Sequence, residues 1–346
     1  MRLIRHAATL AFSTLALGAA AHAQEHTFKL HHFLGAQTPS QTEMLEPWAR
    51  QVEANSGGRI AIEIYPAMSL GGRPPELIQQ ARDGVVDIIW TVNGYTPGLF
   101  PRTEVMELPT VFTNDPVAAN LALHDMFDSD LAEEYQGVEV MFLHTHPGNA
   151  LYTLDSEVGT PADVAGMNLR IPTRTGAWII EALGANPVAM PVPELPQSLS
   201  KGVVDGAFIP YEIGAALKLQ DQIGYVVEGP DDSKFGSTTF QVSMNKARWD
   251  SLPPEIQKAF RDASDRDWWG EVGEIWKATD DAGLQTMTGA GVTLIELDPE
   301  NYAAFETQMQ PVVDRWIEEV EAKGIDGATL VEKARALIDE NTDTSM

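Results

Sequence analysis

Residues 166–210 read GMNLRIPTRTGAWIIEALGANPVAMPVPELPQSLSKGVVDGAFIP. Asn168 to Ile171 is a short strand following the turn-rich segment Thr160 to Gly166, and Thr175 to Leu183 is a helix. Val188-Ala189-Met190 is a strand, Pro193 to Lys201 a helix, and Gly206 to Ile209 a strand. Alternation of this kind predicts an α/β unit built on a mostly parallel sheet.

The same alternation recurs toward the N-terminus. Thr27 to Phe33 alternates as a strand, and residues 40–55 carry Met44, Leu45, Trp48 and Val52 at helical spacing before Asn55-Ser56-Gly57-Gly58. Ile60 to Tyr65 is a second strand, a helix ends near Asp83-Gly84, and Val85 to Val92 is an apolar strand. Val138 to His144 adds another strand. Two α/β units are therefore expected. Beyond them, Pro253 to Gly289 keeps a helical apolar period through Ile256, Phe260, Trp268, Val272 and Trp276. As one helix it would be roughly 50 Å long, so it either breaks or spans two domains. Ala303 to Ile338 reads as two further helices.

Arg2, Arg5 and His6 precede an apolar, small-residue run from Ala7 to Ala21, and Ala21-His22-Ala23 has small residues at both flanking positions. That is the layout of a secretory signal peptide (residues 1–23) cleaved after Ala23, and it predicts a periplasmic protein. The run is too short and too rich in alanine for a spanning helix. The chain has 346 residues and a formal charge of −27, which becomes −29 when Arg2 and Arg5 leave with the signal. A polyanion of that size argues against nucleic acid and anionic membrane surfaces as partners. With no cysteine in the chain, thiol chemistry and disulfides are excluded.

Three blocks, in register over nearly the whole mature chain, resemble the solute-binding proteins of tripartite ATP-independent periplasmic (TRAP) transporters, the dicarboxylate-binding (DctP) type. The first runs from Glu53 through Ser56-Gly57-Gly58-Arg59-Ile60 to Pro66, Leu70-Gly71-Gly72 and Glu76. The second is Gly84-Val85-Val86-Asp87-Ile88 with Phe100-Pro101 and Glu107-Leu108-Pro109. The third is Gly166-Met167-Asn168-Leu169-Arg170-Ile171-Pro172, Gly184-Ala185-Asn186-Pro187-Val188-Ala189-Met190-Pro191, then Gly202-Val203-Val204-Asp205-Gly206 with Pro210.

The resemblance implies a two-lobed periplasmic-binding-protein fold with crossing hinge strands and a long helix spanning both lobes. Lobe I would take 24–147 plus 236–275, and lobe II 148–235 plus 276–346. It also implies a monomer without cofactor that closes over a small carboxylate and docks on small and large integral membrane components. Uptake in such systems draws on an ion gradient, so no nucleotide site is expected.

In the resemblance, Arg170 pairs with the ligand carboxylate. The chemistry agrees, because a guanidinium is a planar two-pronged donor that stays charged. Sialic-acid-binding relatives have a second arginine where this chain has Asn149-Ala150, and an asparagine where it has Ile209 before Pro210. The surroundings are apolar and aromatic instead: Trp178, Val192, Phe208 and Tyr211, with Trp90 and Tyr95 near an earlier strand end. The expected ligand is a monocarboxylate with an apolar, keto, hydroxy or aromatic remainder. Phe33, Gln37 and Asn93 lie where α/β clefts take ligands, beyond strand ends, and Asn149 is counted with them. Arg174 offers a second charge or a solvated one.

Two other readings are open. Several relatives bind zwitterionic, ectoine-like osmolytes with an arginine and aromatic rings. A metal-dependent enzyme would use His144 and His146, two apart on a strand, or His31 and His32. Against catalysis, the chain lacks a zinc-protease helix motif, a phosphate-binding Gly-Lys-Ser/Thr loop and a Gly-x-Ser-x-Gly elbow.

Overall fold

The computed structural model describes residues 24–112 and 114–344. The expected signal segment lies outside the described residues. Eleven strands divide between two sheets among these residues. The first sheet holds β1 (His26–His32), β2 (Ile60–Tyr65), β3 (Ile88–Val92), β4 (Val138–His144) and β10 (Phe240–Asn245), in the order β2-β1-β3-β10-β4. The second holds β5 (Ala150–Thr153), β6 (Asn168–Ile171), β7 (Asn186–Ala189), β8 (Gly206–Ile209), β9 (Tyr225–Glu228) and β11 (Thr293–Glu296), in the order β11-β9-β5-β8-β6-β7. The α/β, two-lobed expectation is met.

Burial explains the strand patterns. β3 is central and buried along its whole length, which suits its run Ile88-Ile89-Trp90-Thr91-Val92. β1 pairs with β2 and β3 in parallel, burying Phe28 and Leu30 while Lys29 stays exposed. The chain crosses to the second lobe after His144 and returns through β10, which runs antiparallel to both β3 and β4. Segments 145–149 and 229–239, termed the hinge, cross between the two sheets.

The helices are α1 (Glu46–Asn55), α2 (Leu77–Arg82), α3 (Pro116–Met126), α4 (Arg174–Ala182), α5 (Leu195–Ser200), α6 (Tyr211–Ala216) and α7 (Lys246–Asp250). They continue with α8 (Pro254–Asp262), α9 (Arg266–Gly289), α10 (Pro299–Met309), α11 (Pro311–Glu321) and α12 (Gly327–Thr344). A wider π-type turn, Ser40–Leu45, leads into α1 because Pro47 has no N–H to give; the Glu46 N–H bonds to Gln41 O instead.

Residues 253–289 take the broken alternative and are two helices, and two other expectations are corrected. Asp265 caps α9 by accepting from the Trp268 N–H at 3.1 Å, so the chain restarts there. The C-terminal segment holds three helices rather than two, since Pro311 opens α11 at its first turn. Finally, 276–346 does not all belong to the second lobe. α10 and α11 pack on α4, but α12 packs on α3 of the first lobe. It buries Leu330, Ala334 and Ile338, with Lys333 paired to Asp130 at 2.6 Å. α9 touches α3 in one lobe and α6 in the other, so it is the helix that spans both.

Candidate functional site

A cavity lies between the lobes, at the carboxyl ends of β1 and β3 on one side and of β6 and β8 on the other. This is where ligands of open parallel sheets sit. Phe33, Trp90 and Tyr95 come from the first lobe, Arg170, Val192 and Glu212 from the second, and the hinge adds His146, Asn149 and Thr238. Trp276 reaches the cavity from α9.

Arg170, at 2 % exposure, is the only guanidinium on the wall among the described residues. β6 runs between β7 and β8, which places Arg170 opposite Val188 and Ala207. Its Nε donates to Met190 O at 3.1 Å and its Nη1 to Phe208 O at 3.4 Å. The Tyr95 hydroxyl beside it accepts from the Val192 N–H at 2.9 Å. No carboxylate pairs with it among the described residues. Burial lowers its pKa from the ordinary value, but a guanidinium starts so high that it remains a cation. A buried charge held only by neutral oxygens is costly to maintain and is poised to receive an anion.

The opposite wall is a stack of rings. Phe33 lies on Trp90 at 4.9 Å and 11°, and Trp90 on Phe240 at 5.5 Å and 9°. The Trp90 indole N–H can only donate, so the 2.9 Å contact makes His144 Nε2 the acceptor and puts the proton on Nδ1, facing Thr145 O at 3.0 Å. Both nitrogens of His144 are thereby spent. His146 Nδ1 accepts from the Gly148 N–H, leaving its Nε2–H as the free donor. Burial drives both rings down to about 3, helped at His146 by His144 and Arg170, so they are neutral. The metal pair considered from sequence has no geometry here: no cluster of three or more ligating side chains exists among the described residues.

The lobes also touch each other directly. Arg174 grips Glu104 two-pronged, at 2.6 and 2.5 Å, and Glu319 at 2.7 Å. Thr175 Oγ1 donates to Glu107 at 2.6 Å, and Arg73 meets Glu194 at 3.1 Å. The second charge considered for the ligand is thus committed to holding the lobes together. Behind Glu212, Asp280 of α9 accepts the N–H groups of Tyr211 and Glu212 at 2.6 and 3.0 Å, satisfying the exposed donors that open α6. Gly283 lets α6 come this near, since a Cβ there would lie 2.5 Å from Tyr211 backbone.

Of the residues expected at the site, Phe33, Trp90, Tyr95, Asn149, Arg170 and Val192 line the cavity. Five lie elsewhere. Gln37 is exposed on its loop. Asn93 is consumed by Tyr135, Thr239 and Gln241 next to the hinge. Trp178 faces α11, with the guanidinium groups of Arg174 and Arg315 over its ring at 4.9 and 4.5 Å. Phe208 turns its ring to Phe235 because strand alternation gives the cavity face to Ile209. Tyr211 donates to Glu228 at 2.8 Å within a buried Lys234–Glu228 pair. Glu212, Thr238, Phe240 and Trp276 were not anticipated. They approach only through tertiary folding, and no local pattern singles them out.

Two α/β lobes joined by crossing strands, with a spanning helix and a cation-bearing cleft between them, define a solute-binding protein. Residues 30–319 match the family described as bacterial extracellular solute-binding protein, family 7 (DctP), and the chain belongs to that family. It is similar to a TRAP solute-binding protein from Rhodoferax ferrireducens T118 solved with copurified benzoate: 36% identity, TM-score 0.89, covering 92% of this chain and 99% of that one. A marine metagenome TRAP protein specific for aromatic acid ligands, solved with metahydroxyphenylacetate, is 35% identical with TM-score 0.89, again over 92% and 99%. The C4-dicarboxylate-binding periplasmic protein of Rhodobacter capsulatus is 26% identical over 324 residues, 90% of this chain and 92% of that protein. These relatives are transport receptors, not enzymes. No helix among the described residues is long and apolar enough to cross a membrane.

Proposed function

We propose that this chain is the periplasmic receptor of a TRAP transporter for a monocarboxylic acid with an aromatic body. The observation that carries the reading is Arg170, a buried cation without an acid partner, facing a wall of stacked rings. A ligand carboxylate supplies the missing anion in a charge-assisted, two-pronged geometry. The flat remainder slides against Trp90 and Phe33, where offset stacking adds to simple burial. The aromatic acids bound by two structural relatives support this choice.

Binding is a conformational equilibrium without chemistry. The solute enters between separated lobes, Arg170 anchors it, and contacts present only in the closed form, such as Arg174–Glu104, shift the population. The closed monomer, exported by a signal cleaved after Ala23, then docks on the membrane components. Native mass spectrometry of freshly purified protein, followed by denaturing release, tests the ligand class. An aromatic monocarboxylate is the expected molecule. A zwitterion of the ectoine kind would overturn the ligand class, as would failure of every aromatic acid to raise the melting temperature of protein recovered empty.

A further inference from the structure

Two polar groups on the cavity wall are left over once the carboxylate is accounted for. Asn149 Oδ1 is buried without a partner. Its orientation is fixed, because its amide nitrogen faces Gly236 O at 3.4 Å and a flip would set oxygen against oxygen. Glu212 is 6 % exposed and lines the same cavity. Its N–H is taken by Asp280, while its carboxyl has no hydrogen bond or ion pair among the described residues. Arg170 does not reach it as a salt bridge. A ligand carboxylate brings no donor, so it can satisfy Arg170 but leaves Asn149 Oδ1 unpaired.

We infer that the solute carries a hydroxyl group in addition to its carboxylate, and that Glu212 and Asn149 are the residues that select it. The inference rests on the Arg170 reading above. Burial and the neighbouring Asp280 push the Glu212 pKa well above the usual carboxylate range, which favours its neutral form. A neutral carboxyl donates its O–H to the ligand hydroxyl, whose own proton goes to Asn149 Oδ1; an ammonium group would require the ionised form instead. An acid lacking the hydroxyl leaves Asn149 Oδ1 without a donor and removes the acceptor for the Glu212 O–H, which weakens its binding by about tenfold or more.

The test is calorimetric titration of the mature protein with benzoate, the three hydroxybenzoate isomers and the amide of the preferred isomer. Wild type, E212L, E212Q and N149L are compared. At least one isomer is expected to bind about tenfold more tightly than benzoate. That ratio should fall toward one in E212L and in N149L, and should largely survive in E212Q, which keeps a neutral hydrogen-bonding group. If no isomer is preferred, or if the preference persists in whichever of E212L and N149L folds, the selection role is overturned while acid-over-amide preference leaves the Arg170 reading intact. If the amide binds as well as the acid, the Arg170 reading falls and this inference with it.

Discussion

Gly94 follows β3 on the first lobe and meets Thr173, the residue that caps α4 on the second. A Cβ at Gly94 would lie 2.3 Å from Thr173 Cγ2, 2.7 Å from its Cβ and 3.2 Å from its Cα. The first two distances fall far inside ordinary contact, and the third is to backbone, so a rotamer change alone cannot relieve them. Gly94→Ala must push the lobes apart by roughly 1 Å, and overpacking of this kind costs about 1–3 kcal/mol. If closure is what holds the ligand, that cost is drawn from binding and weakens it roughly 5- to 150-fold. Calorimetry gives the affinity, and small-angle scattering gives the compaction on ligand addition. Thr173→Ser in the same chain removes the Cγ2 methyl and keeps the cap to the Gly176 N–H, so it should restore part of the loss. Gly94→Ala with wild-type affinity and full compaction would show that this lobe contact is not part of the bound state.

Arg174→Met leaves Glu104, only 5 % exposed, with no cation to bridge the lobes in the closed form. Opening returns Glu104 to water, so the loss should appear as affinity weakened tenfold or more, with the melting temperature of the unliganded protein little changed. Unchanged affinity would remove the pair from the closing mechanism. The Glu212 carboxyl also makes a pH prediction. Its folded pKa is raised, so its stabilising effect is complete below about 4.3 and is lost as pH rises toward the folded value. Between pH 5 and 7.5 the wild type should therefore lose stability relative to Glu212→Gln, by at most about 1.4 kcal/mol per pH unit. Denaturant titrations at the two pH values measure it, and a constant difference between the proteins would contradict it.

Strands with strong local signals could be read from sequence: Val138–His144, Asn168–Ile171 and Gly206–Ile209 end at the residues expected. The break within 253–289 could not be placed from sequence because Phe260 and Trp268 keep a helical period across it, while the interrupting signal is a single capping residue, Asp265. α12 packs on the first lobe through tertiary contacts with α3, which no spacing within 327–344 announces. At the site, residues close to Arg170 in sequence were easy to suspect, and some of them do not line the cavity. Phe208 and Ile209 differ only in which face of β8 they occupy, and Trp178 belongs to a helix whose apolar side turns to α11. Trp276 and Phe240 look like ordinary core residues until α9 and β10 bring them to the cleft. Glu212 was hidden by type, since a glutamate in so acidic a chain reads as surface.

The central claim is that Arg170 anchors a ligand carboxylate. Titration of Arg170→Met with the aromatic acid that binds the wild type best tests it most directly, with circular dichroism to verify the fold. Truncating one partner of a buried charge pair predicts a loss of about 2–5 kcal/mol, roughly 30- to 5,000-fold in Kd. An affinity within about threefold of wild type would contradict the account.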